Sequence, residues 1–404
     1  MRYNAALHHA FYQEDTIHMK VYFDNNATTQ VVPAVRDAML PYLQDQFGNA
    51  SSMHAFGREA KKALEESRET IARILGASSK ECICFTGSGS EADNMALRGV
   101  ARTLHQKGKH IVTSELEHPA ILNTCKDLEE DGFSVTYVKP DETGLISAEA
   151  VAKALRNDTI LVTIMHANNE VGTLNPIAEI AKVVKPRGIL FHTDAVQSFC
   201  KVPINVDAMG VDLLSISAHK IHGPKGVGAL YIREGVQLKP LIFGGHQEDG
   251  RRAGTENMAG IVGLATAAQL ASANLEKVTG KMKMLRDKLE KGLLEKIPNT
   301  KLNGHPTLRL PNTLNLSFPY IEAESLILDL DLRGVAVSSG SACSSGSGDP
   351  SHVLLSMGIS HAICRGSLRF SLGTENKEEE VDYVLETLPP IVQRMIAMSP
   401  LAPG

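Results

Sequence analysis

Ser215-Ile216-Ser217-Ala218-His219-Lys220-Ile221-His222-Gly223-Pro224-Lys225-Gly226 continues an apolar run that begins Val211-Asp212-Leu213-Leu214. The run reads as a buried strand closing in small and polar residues, which sets Lys220 just past the strand's carboxyl end. Open α/β sheets bind their ligands along that edge. With Gly223, Pro224 and Gly226 around it and no acidic neighbour, a lysine there can lose its proton on partial desolvation and condense with an aldehyde. By itself the residue reads rather as a solvated surface lysine or a phosphate contact.

Working outward, apolar runs recur at 81–85, 110–113, 134–138, 159–164, 188–193, 211–217 and 228–232, with helical segments between most of them. This alternation predicts an α/β protein whose large domain holds a mostly parallel, seven-stranded sheet covered on both faces by helices. Before it, 21–23 reads as a short strand, and Asp24-Asn25-Asn26-Ala27-Thr28-Thr29 fits an Asx-type turn. Pro33 opens a helix, and another over 56–75 stops at Gly76. A single helical stretch over 258–294 leads away from the sheet. Strands at 313–317, 335–338 and 367–371, interleaved with helices near 322–332, 350–357 and 376–397, then predict a smaller α+β domain. The expected division is 31–276 for the large domain, with 1–30 and 277–404 forming the small one. Cys82 and Cys84, in one predicted strand, are expected to point the same way as small apolar fillers.

The chain has 404 residues, 43% of them hydrophobic, and a formal net charge of -5. That describes a soluble globule with no basic field for nucleic acid or an anionic membrane, and its apolar runs are too short to span a bilayer. Six cysteines without a C-x-x-C pair imply a reducing compartment, so a cytoplasmic location is expected. Residues 1–20 lack the continuous apolar core of a secretory signal, and those before Met19 are set aside from the fold reasoning. No spacing of His, Cys or carboxylates reads as a metal site.

Several turns fall on the same rim as Lys220. Thr86-Gly87-Ser88-Gly89-Ser90 lies between a strand and a helix, where glycines and a helix amino terminus suit a phosphate, although Ser90 with Asp93 also fits a plain capping box. Asp194, in His192-Thr193-Asp194-Ala195-Val196-Gln197, closes another strand 26 residues before Lys220, about one strand-helix-strand unit away. Carboxylate and lysine across one pocket suit pyridoxal phosphate, the acid holding the ring nitrogen protonated; a structural ion pair is the alternative. His118 opens a helix, where its ring can stack on a flat cofactor or act as a cap, and Asn169 also follows a strand. Alternation in 367–372 puts Arg369 on a polar face, able to clamp a carboxylate. The charged, glycine-rich stretch 244–255 fits either a phosphate or subunit contact or a surface loop. In Ser338-Ser339-Gly340-Ser341-Ala342-Cys343-Ser344-Ser345-Gly346 only Ala342 is apolar, so Cys343 fits badly as a buried filler and reads as a reactive thiol.

Together these motifs resemble the cysteine desulfurases of the NifS/IscS group, within the fold-type-I pyridoxal phosphate enzymes, over nearly the whole chain from about Val21 to Pro400. The matches are 24–29, 192–197, Ser217-Ala218-His219-Lys220, Gly250-Arg251-Arg252-Ala253-Gly254-Thr255 and 338–343. The resemblance implies that Lys220 binds the cofactor covalently, Asp194 pairs with its ring nitrogen and Gln197 bonds its ring hydroxyl. It implies that His118 stacks on the ring and assists proton transfer. Gly89, Ser90, Ser217 and His219 would hold the phosphate, with Thr255 supplied by the second subunit of a homodimer. Asn169 and Arg369 would take the carboxylate of L-cysteine, and Cys343 would be the nucleophile that receives the sulfur, passing it to an iron-sulfur scaffold or another acceptor protein. Many relatives read Ser-Gly-Ala-Thr where this chain has Gly87-Ser88-Gly89-Ser90, which keeps the final hydroxyl. The alternatives are an aminotransferase of the same fold with Cys343 idle, and a non-catalytic sulfur carrier or regulator.

Overall fold

The computed structural model describes residues 19–339 and 350–400. Its centre is a seven-stranded sheet in the order Ile83–Thr86, Gly228–Ile232, Leu213–Ser217, Leu190–Asp194, Thr159–Thr163, His110–Ser114, Ser134–Val138. The last five run parallel, whereas Gly228–Ile232 is antiparallel to both of its neighbours. Their carboxyl ends therefore lie along one edge. The strands are apolar on successive residues because both faces are covered: Val112, Val162, Phe191 and Leu214 enter one core, and Ile111, Leu161, Leu213 and Leu230 the other.

Cys82 and Cys84 depart from expectation. The strand begins only at Ile83, and Cys82 sits in a preceding 3₁₀ turn, Lys80–Cys82. The two-residue periodicity does not carry across that turn, so Cys82 joins one core and Cys84 the opposite one. The stretch over 258–294 is likewise not one helix. It divides at Asn274 into Met258–Ala273 and Leu275–Lys296, bent by 76°.

A further core gathers Val21 and Phe23 with Leu285, Leu289, Leu314, Leu316, Leu368, Phe370, Val384 and Leu388. It covers an antiparallel sheet in the order Ser338–Ser339, Ser367–Ser371, Thr313–Ser317, Lys301–Asn303. The strand Lys301–Asn303 is too short and too polar to stand out in the sequence. Val21–Tyr22 pairs with Val335–Ala336, and Asp24 bridges to Ser371, which draws the turn 24–29 against the strand that bears Arg369. Among the described residues no single helix is long and apolar enough to cross a membrane.

Candidate active site

Where the parallel strands end, a cavity of about 450 Å³ opens between the sheet edge and the strand Ser367–Ser371. Lys220 closes the 3₁₀ turn Ala218–Lys220 that follows Leu213–Ser217. Its Nζ donates to the carbonyls of Asn26 at 2.7 Å and Ala27 at 2.8 Å, so the turn 24–29 holds the amine from across the cavity. Asp194 ends the adjacent parallel strand, opposite Ser215 in register, and its Oδ1 accepts from Val196 N at 2.8 Å. Burial raises the Asp194 pKa, which the Lys220 charge opposes. Gln197 stands further along the same loop and donates from Nε2 to Asn26 O at 2.9 Å.

The helix Gly89–Leu104 aims its amino terminus at the same space. Its cap is Ser88, whose Oγ accepts from Glu91 N at 3.0 Å while Glu91 Oε2 takes Gly87 N at 2.8 Å. The cap is thus Ser88, with Glu91 reaching back to the residue before it, and not Ser90 with Asp93; Ser90 stays exposed in the first turn beside Gly89. A Cβ on Gly89 would meet Val196 Cγ2 at 2.8 Å, so glycine lets the helix start come this close. Ser217 and His219 complete that wall. Burial, with Lys220 and Lys225 nearby, lowers His219 to about 4, so its ring is neutral at pH 7.

On the other wall His118 caps the helix Pro119–Glu130, its Nδ1 accepting from Ala120 N at 3.1 Å. Burial, with help from Lys220 and His352, takes its pKa down to about 4. The neutral ring therefore carries its hydrogen on Nε2. Arg369 is 2% exposed. It donates from Nη2 to Asp24 Oδ1 at 2.8 Å and from Nη1 to the carbonyl of Asn169 at 3.1 Å, leaving Nε buried without a partner among the described residues. Asn169 also lines the cavity.

Thr255 is not in this cavity. It is exposed and borders a separate hollow of about 110 Å³ with Gly226 and Arg252. Its loop is tied to its own sheet by Glu248, whose carboxylate accepts both Arg68 guanidinium nitrogens at 2.7 Å and Phe85 N at 2.8 Å. Cys343 lies outside the described residues. The flanks of its segment do reach the cavity: Ser338 pairs with Arg369, and His352 forms part of the lining. Among the described residues no cluster of His, Cys, Asp and Glu suits a metal ion.

Sequence reasoning missed Asp93, Glu117, Glu170 and His352, which gather in or behind the cavity wall. Glu117 stands next to His118 in sequence, yet only the fold reveals that it is buried. Its Oε1 accepts from Ser114 Oγ at 2.6 Å and Met165 N at 2.9 Å, and burial raises it to about 8. A carboxyl raised in the fold favours folding fully below its unfolded pKa of about 4.5, and that contribution is lost as pH climbs through 8. Glu117→Gln is therefore expected to gain thermal stability over the parent progressively between pH 5 and pH 9. Parallel melting curves that stay equally separated across that range would reject a buried acid there.

A lysine, a buried carboxylate, an imidazole and a helix amino terminus with hydroxyls around one cavity form a donor set that fits pyridoxal phosphate. The model of the class-V aminotransferases matches residues 21–384. The chain is 53% identical to the cysteine desulfurase IscS of Methanosarcina thermophila, an alignment covering 95% of this chain and 94% of the relative. It is 51% identical to the IscS of Dictyoglomus turgidum, over 94% of this chain and 96% of that one. Among solved structures a NifS-like protein superposes with a TM-score of 0.87 at 41% identity, covering 93% of this chain and all of the other. SspA in complex with cysteine gives 0.78 at 40% identity, over 88% and 99% of the two chains.

Proposed function

The chain belongs to the class-V aminotransferase family, and from that premise we propose that it is a cysteine desulfurase, converting L-cysteine to L-alanine and leaving the sulfur as a persulfide on Cys343. Its cofactor is pyridoxal 5′-phosphate. In this reading 31–276 form the cofactor-holding unit, while 1–30 with 277–404 bring the substrate-binding arginine and the nucleophile. What supports it most is the meeting of Lys220, Asp194 and Arg369 in one cavity flanked by both ends of the Cys343 segment.

Lys220 would bind the cofactor's aldehyde carbon, Asp194 its ring nitrogen and Gln197 its ring hydroxyl. Gly89, Ser90, Ser217 and His219 would hold the phosphate, joined by Thr255 from the second subunit of a homodimer. Once bound, the cofactor supplies an electron sink for the pair left when the substrate's Cα loses its proton. Arg369 and Asn169 orient the substrate carboxylate, and His118 stacks on the ring, with a hydrogen on Nε2 to offer. The Cys343 thiolate attacks the substrate sulfur: an S–S bond forms, the Cβ–S bond breaks with its electron pair on carbon, and that carbon takes a proton to become alanine's methyl. The persulfide then serves iron-sulfur cluster assembly through a scaffold or other acceptor protein in the cytoplasm.

Incubating the holoenzyme with L-cysteine tests this directly. Alanine matched by persulfide or sulfide is expected, whereas a keto acid in its place would make the protein an aminotransferase. Removing the guanidinium fork should weaken substrate binding selectively. Arg369→Leu is expected to raise KM for L-cysteine by about 10- to 100-fold, the worth of a charge-assisted contact, with the cofactor still bound. An unchanged KM would reassign the carboxylate site.

A further inference from the structure

Lys201 takes no part in the chemistry above, yet it is buried beside it. Only 7% of it is exposed. Burying an ammonium is unfavourable unless the position has a use for it. Burial and the charges of Lys220 and Arg369 bring its amine down to about 7, and His219 and His222 feel its charge in turn. Its Nζ donates to Gln197 Oε1 at 3.2 Å. Gln197 Nε2 in turn donates to Asn26 O, the carbonyl that also accepts from Lys220 Nζ. Lys201, Gln197, Asn26 and Lys220 thus form a continuous hydrogen-bonded row along one side of the cavity.

A glutamine amide has a donor end and an acceptor end of nearly equal shape, so its neighbours decide which way it faces. An ammonium is a donor only, and the neutral amine still has hydrogens to donate to Oε1. We propose that Lys201 is a positioning residue: by engaging Oε1 it fixes the Gln197 amide with the nitrogen toward Asn26 and the cavity, so that a donor meets the cofactor's ring hydroxyl. The assignment rests on the function proposed above. With the amide so fixed, Nε2 has one hydrogen on Asn26 O and a second available to the ring oxygen. A donor on that oxygen weakens its hold on the proton it shares with the Lys220 nitrogen. The linkage between Lys220 and the cofactor then deprotonates at a lower pH than it would with the amide reversed.

The test titrates the absorbance of the Lys220-bound cofactor against pH in the holoenzyme and its variants. Lys201→Met is expected to raise the midpoint by about one pH unit, a tenfold change in the proton equilibrium. Lys201→Arg, which keeps a donor, is expected to stay close to the parent and provides the measurement if the methionine variant does not fold. In a Gln197→Leu background the methionine substitution should add less than half of its original shift. An unmoved midpoint in Lys201→Met, an arginine variant displaced by a full unit, or a shift of equal size without Gln197 would each overturn the assignment. Yellow variants with matching titrations would remove the role of Lys201 alone, whereas a chain that takes up no pyridoxal phosphate would overturn the proposed function as well.

Discussion

Lys220→Ala is expected to give a folded protein that carries no covalently bound cofactor and makes alanine from L-cysteine at least about 10⁴-fold more slowly than the parent. The fold should survive, because Lys220 ends a 3₁₀ turn whose backbone does not depend on the amine, and the carbonyls of Asn26 and Ala27 that lose a donor face a cavity water can enter. Borohydride reduction followed by peptide mapping is the measurement. The parent should show a pyridoxyl group on Lys220 and the variant none on any lysine. A reduced adduct on another residue, or turnover that persists, would move the covalent anchor elsewhere.

Cys343→Ala should separate the two halves of the reaction. Cofactor binding is expected to persist and L-cysteine still to bind, while alanine output falls by a hundredfold or more, on the order of what loss of a nucleophile costs. Four of the other cysteines make poor substitutes. Cys84 and Cys125 lie in the sheet core with thiols that burial pushes well above the ordinary range, and burial takes Cys200 to about 12 and Cys364 to about 11. At neutral pH these remain thiols, and it is the thiolate that attacks sulfur. Mass spectrometry after brief exposure to L-cysteine should add one sulfur to the parent and none to the variant. Normal alanine production by Cys343→Ala would end its assignment as nucleophile.

Much of the large sheet is legible in the sequence because a strand buried on both faces must be apolar on successive residues, as Leu161-Val162 and Leu213-Leu214 are. Strand ends are legible for a related reason: Asp194 and Lys220 each follow an apolar run that gives way to small and polar residues, which marks the rim. The opposite wall was less accessible. Glu117 and Asp93 look like ordinary helix-start acids until the fold buries them, and His352 comes to the cavity from the far end of the chain. The break at Asn274 leaves little mark in the sequence because asparagine is only mildly unfavourable in a helix. Ser90 with Asp93 fits the capping pattern in a turn where alternate residues are serine, but Ser88 carries the cap.

The contacts that close the cavity join residues far apart in the chain: Asn26 Nδ2 to Thr313 Oγ1, Asp24 to Arg369, and the carbonyl of Asn26 to Lys220. A ribosome delivers Lys220 long before it delivers Arg369, and the turn that must receive the lysine amine emerges first of all. The pocket is therefore completed late, by non-local pairing that is slow to form. Competence to bind L-cysteine, unlike uptake of the cofactor, then reports that the turn 24–29 and the strand bearing Arg369 have met.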